Sequence, residues 1–101
     1  MPTENDIQVK LAIYREFAES GRAPSCERVA ARTGLSTEHV RDAFRSLGAQ
    51  RLLVVESDGA TIRMAPPFSG VPTHHRVESG GVEYYANCAW DALGILAALK
   101  R

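Results

Sequence analysis

At 101 residues the chain has room for one ordinary domain or two very small ones, and a 45% hydrophobic share with 24% charged residues excludes wholesale disorder. Twelve Lys and Arg balance twelve Asp and Glu, so no global charge draws the chain toward nucleic acid or anionic lipid. No run approaches the roughly 18 apolar residues of a membrane span, no signal-peptide core opens the sequence, and Cys26 and Cys88 are too few and too far apart for a disulfide framework. The expectation is a cytoplasmic protein with reduced thiols and no membrane partner.

The first helix is predicted from Ile7, Leu11, Tyr14 and Ala18, which recur at helical spacing, with Ile13 and Phe17 widening the stripe. Gly21 closes it as a C-cap. Ser25 is a good N-cap for a short second helix running through Thr33, with Val29 and Ala30 facing inward. Gly34-Leu35-Ser36 then makes a tight turn, and Ser36 caps a third helix with Val40, Phe44 and Leu47 on one face. Two β-rich runs follow, Leu52 to Glu56 and Thr61 to Met64, joined by Ser57-Asp58-Gly59-Ala60, whose Asp-Gly pair signals a hairpin. Three helices and a hairpin read as a winged helix-turn-helix domain over residues 1–66.

Composition breaks at Ala65-Pro66-Pro67-Phe68-Ser69-Gly70-Val71-Pro72. Three prolines there exclude a helix or a central strand, so the stretch reads as an ordered linker. Beyond it, residues 74–78 and 82–86 are predicted strands turning at Ser79-Gly80-Gly81. Asn87 offers an N-cap for a last helix from Cys88 to about Leu99, and that helix is apolar nearly all round, interrupted only by Asp91. Such a helix is expected to be buried on several sides. A module this small cannot bury it all, which points to a chain cut from a longer protein, or to self-association through this helix. The predicted fold class is α+β: a winged helix-turn-helix module, a short β-hairpin and a buried C-terminal helix, with residues 67–101 forming the start of a second, truncated domain.

Cys88 and Asp91 stand three residues apart at the start of the last helix and share a face. A helix N-terminus favours a thiolate, a thiolate is both a nucleophile and a soft-metal ligand, and a carboxyl group one turn along can give or take a proton. The pair reads as reactive. The same residues also suit a purely structural role, since cysteine is often buried and aspartate is favourable in any first helical turn.

The segment Pro67-Phe68-Ser69-Gly70-Val71-Pro72-Thr73, Val77 and Tyr85-Ala86-Asn87-Cys88-Ala89-Trp90-Asp91-Ala92-Leu93-Gly94-Ile95 resembles the alkylmercury (organomercurial) lyase family. In that family a winged-helix-like N-terminal part precedes a Cys-Ala-x-Asp segment at a helix start, so the order of parts is similar along the whole chain. The resemblance implies protonolysis of a carbon–mercury bond without a cofactor, with Cys88 as the thiolate that binds the mercury of the substrate and Asp91 as the proton donor. It also implies a second active-site cysteine downstream. Cys26, the only other cysteine, lies in the winged module and reads as a packed structural residue. The fragment alone is therefore expected to bind an organomercurial or thiophilic metal ligand without being a competent lyase.

The alternative is a non-catalytic winged-helix regulator that binds DNA or senses a thiophilic metal through Cys88. Its recognition helix would be the third, where Glu38, Arg41, Asp42 and Arg45 cancel. Residues 1–66 hold nine basic and nine acidic side chains, a poor basis for phosphate neutralisation, although Arg22, Arg28 and Arg32 could form a local patch. His74 and His75 would point to opposite faces of a strand and not share an ion; one is expected exposed and one packed. Tyr84 and Tyr85 alternate likewise, one ring being expected to cover the last helix. Gly80-Gly81 lacks any phosphate-loop context and reads as a turn.

Overall fold

Thr3 starts the first helix of the computed structural model, which describes residues 3–99. Its hydroxyl accepts the Asp6 N–H at 3.1 Å, and the Asp6 carboxylate accepts the Thr3 N–H at 3.2 Å, a reciprocal capping box that opens α1 (Glu4–Ser20). Gly21 ends α1 with φ 73°, its N–H reaching the Phe17 carbonyl at 2.7 Å. Ser25 caps α2 (Cys26–Thr33) and Ser36 caps α3 (Thr37–Ala49), each hydroxyl accepting an N–H three residues on at 3.1 Å. The three predicted helices are present with their predicted caps.

The buried face of α1 matches the expected stripe only in part, at Ile13 and Phe17. Val9, Ala12, Ile13 and Phe17 are buried, whereas Ile7 and Leu11 are about half exposed. Both sets recur at helical spacing, and tertiary contacts with α2 and α3 select the first. A carboxylate is also drawn in: buried Asp6 accepts the Ser46 hydroxyl at 2.7 Å and the Gln50 amide at 3.5 Å, tying α1 to α3. Burial raises the Asp6 pKa, but the hydrogen bonds from Ser46, Thr3 and Gln50 outweigh it, and the net shift is below the ordinary carboxylate value. Each fully buried aliphatic or phenyl side chain in this cluster, such as Ile13, Phe17, Phe44 and Leu47, contributes about 1.5–3 kcal/mol.

Five antiparallel strands follow: β1 (Val54–Val55), β2 (Ile62–Ala65), β3 (Phe68–Ser69), β4 (His75–Ser79) and β5 (Val82–Ala86), in the order β1-β2-β3-β5-β4. The first hairpin turns where the sequence predicts it. The Asp58 carboxylate accepts the N–H groups of Ala60 and Thr61 at 2.8 and 2.9 Å, and Gly59 takes φ 70°. The second turns on Gly80 and Gly81, both with positive φ, as a two-residue antiparallel turn requires.

Between the hairpins the expected linker is instead part of the sheet. Pro66 and Pro67 occupy the turn, where no N–H is needed, while Phe68 and Ser69 form a short strand between β2 and β5. Strands on both sides of position 66 thus belong to one sheet. Phe68 is a centre of the core, stacked on Phe17 with ring centroids 5.1 Å apart and tilted against Tyr84 at 5.8 Å. Residues 1–2 and 100–101, the outer ends of the two expected segments, lie outside the described residues.

The last helix, α4 (Ala89–Leu99), packs on β4 and β5. It is not buried on several sides as expected. Ile95 alone is buried, while Trp90 is 81% and Leu93 60% exposed. The sheet reaches one face of an element whose apolar residues cover every face. Gly94 allows the approach: a Cβ there would lie 3.3 Å from the Pro67 side chain.

Candidate functional site

Ala86, the last residue of β5, is paired on both sides, with Phe68 of β3 and His75 of β4. Thr73 adds a hydroxyl donated to the Ala86 carbonyl at 2.6 Å. The chain therefore leaves the sheet from a fixed point, passes Asn87 and enters α4. Cys88 is the residue at which it turns: its carbonyl accepts the Ala92 N–H at 3.0 Å, so Cys88 is the N-cap and Ala89 the first helical residue, one position later than the sequence suggests. Asn87 is released from the capping role expected of it.

The Cys88 thiol is free and exposed. Asp91 stands three residues on, half-buried in the first turn of α4, so thiol and carboxylate flank the end of the helix where unpaired N–H groups suit anionic side chains. The Asp91 carboxylate accepts the Asn87 side-chain amide at 3.2 Å, and the same amide nitrogen lies 3.5 and 3.4 Å from the carbonyl oxygens of Pro67 and Phe68. Sequence reasoning missed this bridge. The signal available was only an amide four residues before a carboxylate; the carbonyls that orient it come from β3 and the turn before it, 19 and 20 residues away. An exposed thiol with a tethered carboxylate three residues on can bind a soft electrophile through sulfur and supply or accept a proton one turn away.

Cys26 is not part of this arrangement. It is 2% exposed in α2, with its Sγ 3.8 Å from the Ala60 carbonyl of the first hairpin, and burial pushes its thiol pKa up. His74 and His75 are both exposed, contrary to the expectation that one would be packed, because His74 precedes β4 and His75 begins it at the sheet edge. Among the described residues no group of three or more His, Cys, Asp and Glu stands close enough to hold a metal ion. Tyr84 is buried, its hydroxyl donates to the Ala18 carbonyl of α1, and its ring is tilted against Phe68. Tyr85 lies under the Arg22 guanidinium, 5.1 Å from its ring centre.

The arginines of the first 66 residues are largely matched by carboxylates. Arg28 and Arg32 meet Glu16 at 3.1 and 3.2 Å, Arg32 also pairs with Glu19, and Arg22 lies 3.6 Å from Glu83. On α3, Arg45 is 3.7 Å from Asp42. No helix among the described residues is long and apolar enough to cross a membrane.

Residues 68–101 match the family model described as alkylmercury lyase. No curated protein and no solved structure matches the chain. The stretch that carries Cys88 and Asp91 is thus similar to the alkylmercury lyase family.

Proposed function

We propose that this chain carries the thiol-and-acid part of an organomercurial lyase site. Cys88, as thiolate, takes the mercury of an organomercurial substrate, and Asp91 delivers the proton that replaces mercury on carbon. The observation that carries this reading is the family match over the stretch in which an exposed cysteine caps α4 three residues before a tethered carboxylate. Mercury(II) is soft and prefers sulfur, and a carbanion-like leaving group requires a proton donor within reach. No cofactor is needed for such a protonolysis.

Residues 1–66 serve in this reading as a winged helix-turn-helix module that scaffolds residues 67–101. Three capped helices followed by the β1–β2 hairpin support it. The ion pairs of Arg22, Arg28, Arg32 and Arg45 support a scaffold over a duplex-binding module, because they spend on carboxylates the charge that phosphates would need.

One thiolate holds mercury without completing the cycle, so the chain captures one equivalent and stops until a second sulfur is supplied. The test is to add one equivalent of phenylmercury, find the adduct by mass spectrometry, then add excess small thiol and measure benzene in the headspace. Capture should map to Cys88 and vanish in Cys88→Ser. Benzene release should slow by roughly 10²–10⁴-fold in Asp91→Asn, the range for a lost general acid. Undiminished capture by Cys88→Ser would end this reading.

A further inference from the structure

Two helices of this protein start with the same spacing of a polar N-cap and an aspartate three residues on, and the two aspartates behave differently. At α1, Asp6 folds back to accept the N–H of its own cap, Thr3, at 3.2 Å. At α4 the cap is Cys88, and Asp91 instead accepts the side-chain amide of Asn87 at 3.2 Å. Asn87 is itself turned toward the carbonyls of Pro67 and Phe68, and Phe68 is a buried strand residue paired with Ala86. The carboxylate is thereby tied to the sheet and not only to its own helix.

We propose that Asn87 is the positioning residue of the site: by engaging Oδ2 of Asp91 it turns the carboxyl group away from the helix cap and holds its other oxygen for proton transfer beside Cys88. The proposal rests on the reading of Cys88 and Asp91 given above. In the step concerned, the electron pair of the carbon–mercury bond takes the proton of Asp91 and becomes a carbon–hydrogen bond. Mercury(II) stays on the Cys88 sulfur with a small thiolate as second ligand, no oxidation state changes, and water reprotonates the carboxylate. An aspartate free to rotate would hold its proton at the wrong place for most of the time, and misplacement by about 1 Å costs as much as 10²-fold in such a transfer.

The test uses the full chain loaded with one equivalent of phenylmercury, then treated with excess small monothiol, with benzene release followed as a single turnover. Asn87→Ala should leave loading at one equivalent and slow release by at least tenfold, and Asn87→Gln, which keeps an amide donor, should recover part of the rate. Asn87→Asp, which keeps the size but removes the donor, should be as slow as Asn87→Ala, and it serves if the alanine variant folds poorly. In the Asn87→Ala, Asp91→Asn double variant, release should be no slower than in Asp91→Asn alone, because Asn87 acts through Asp91. Independently of turnover, the ¹³C carboxyl resonance of Asp91 should move in Asn87→Ala. An unmoved resonance, a wild-type release rate in Asn87→Ala, or additive slowing in the double variant overturns the role of Asn87 and leaves that of Asp91 standing. A wild-type adduct that releases benzene no faster than Asp91→Asn overturns the acid assignment, and the role of Asn87 with it.

Discussion

The two thiols should differ in reactivity by orders of magnitude in the native protein. Cys88 is exposed at the cap of α4, while Cys26 is 2% exposed beneath the first hairpin. A reagent reaches Cys26 only when α2 or the hairpin opens. An opening that costs about 4 kcal/mol, well inside the roughly 5–15 kcal/mol of a whole small domain, slows labelling by about 10³-fold at 1.4 kcal/mol per decade. Burial also raises the Cys26 pKa, which lowers its thiolate fraction at neutral pH and acts in the same direction. The assay is time-resolved maleimide labelling with peptide mapping, repeated in denaturant, where the two rates should converge. Phenylmercury should follow the same order, so that Cys26→Ser leaves the first equivalent of capture intact. Native labelling rates within tenfold of each other would refute the reasoning, because Cys26 would then be accessible enough to compete for mercury.

Asp6 makes stability acid-sensitive. Its folded pKa lies below the unfolded value, so its contribution is complete above about pH 4 and is lost as pH falls through the folded value. Asp6→Ala should cost about 2–4 kcal/mol at neutral pH by denaturant unfolding, from lost hydrogen bonds to a buried charge, and should flatten the stability profile at low pH. Gly21→Ala should cost well over the ~1 kcal/mol of a left-handed alanine, because its Cβ would lie 2.0 Å from the Glu83 carbonyl oxygen. Gly34→Ala, at φ 79° with nothing within 4 Å, should cost only about that 1 kcal/mol, a difference visible as several degrees in thermal melts. Duplex DNA at physiological salt should bind no more tightly than the ordinary non-specific range of roughly 10⁻⁴ to 10⁻⁶ M by fluorescence anisotropy; tight, sequence-selective binding would contradict the scaffold role.

What the sequence reveals about this fold is its local chemistry. Ser25 and Ser36 cap their helices, Gly21 ends α1 and Asp58-Gly59 turns the first hairpin because each interaction closes within a few residues. Choices that depend on distant partners are not visible in the same way. α1 carries apolar residues at helical spacing on two faces, and only the arrival of α2 and α3 buries Val9 and Ala12 and leaves Ile7 and Leu11 half exposed. Pro66 and Pro67 argue against a strand locally, yet the two residues after them complete the sheet, because a turn consumes the prolines and Phe68 fills the space between Phe17 and Tyr84. In α4, a helix apolar on every side gives no periodic signal of which face the sheet will take.

The site divides along the same line. The spacing of Cys88 and Asp91 and their place at a helix start follow from local sequence, and the structure moves the helix start by only one residue. The orientation of the carboxylate does not follow from it. Thr3 and Asp6 have the same relation to α1, and there the carboxylate closes a capping box and stays structural. What distinguishes Asp91 is Asn87, whose own direction is set by the Pro67 and Phe68 carbonyls across the sheet. A short cysteine-and-aspartate spacing therefore leaves the partner of the carboxylate open until the residue before it is seen, and in this chain the Asp91 carboxylate accepts the Asn87 side-chain amide.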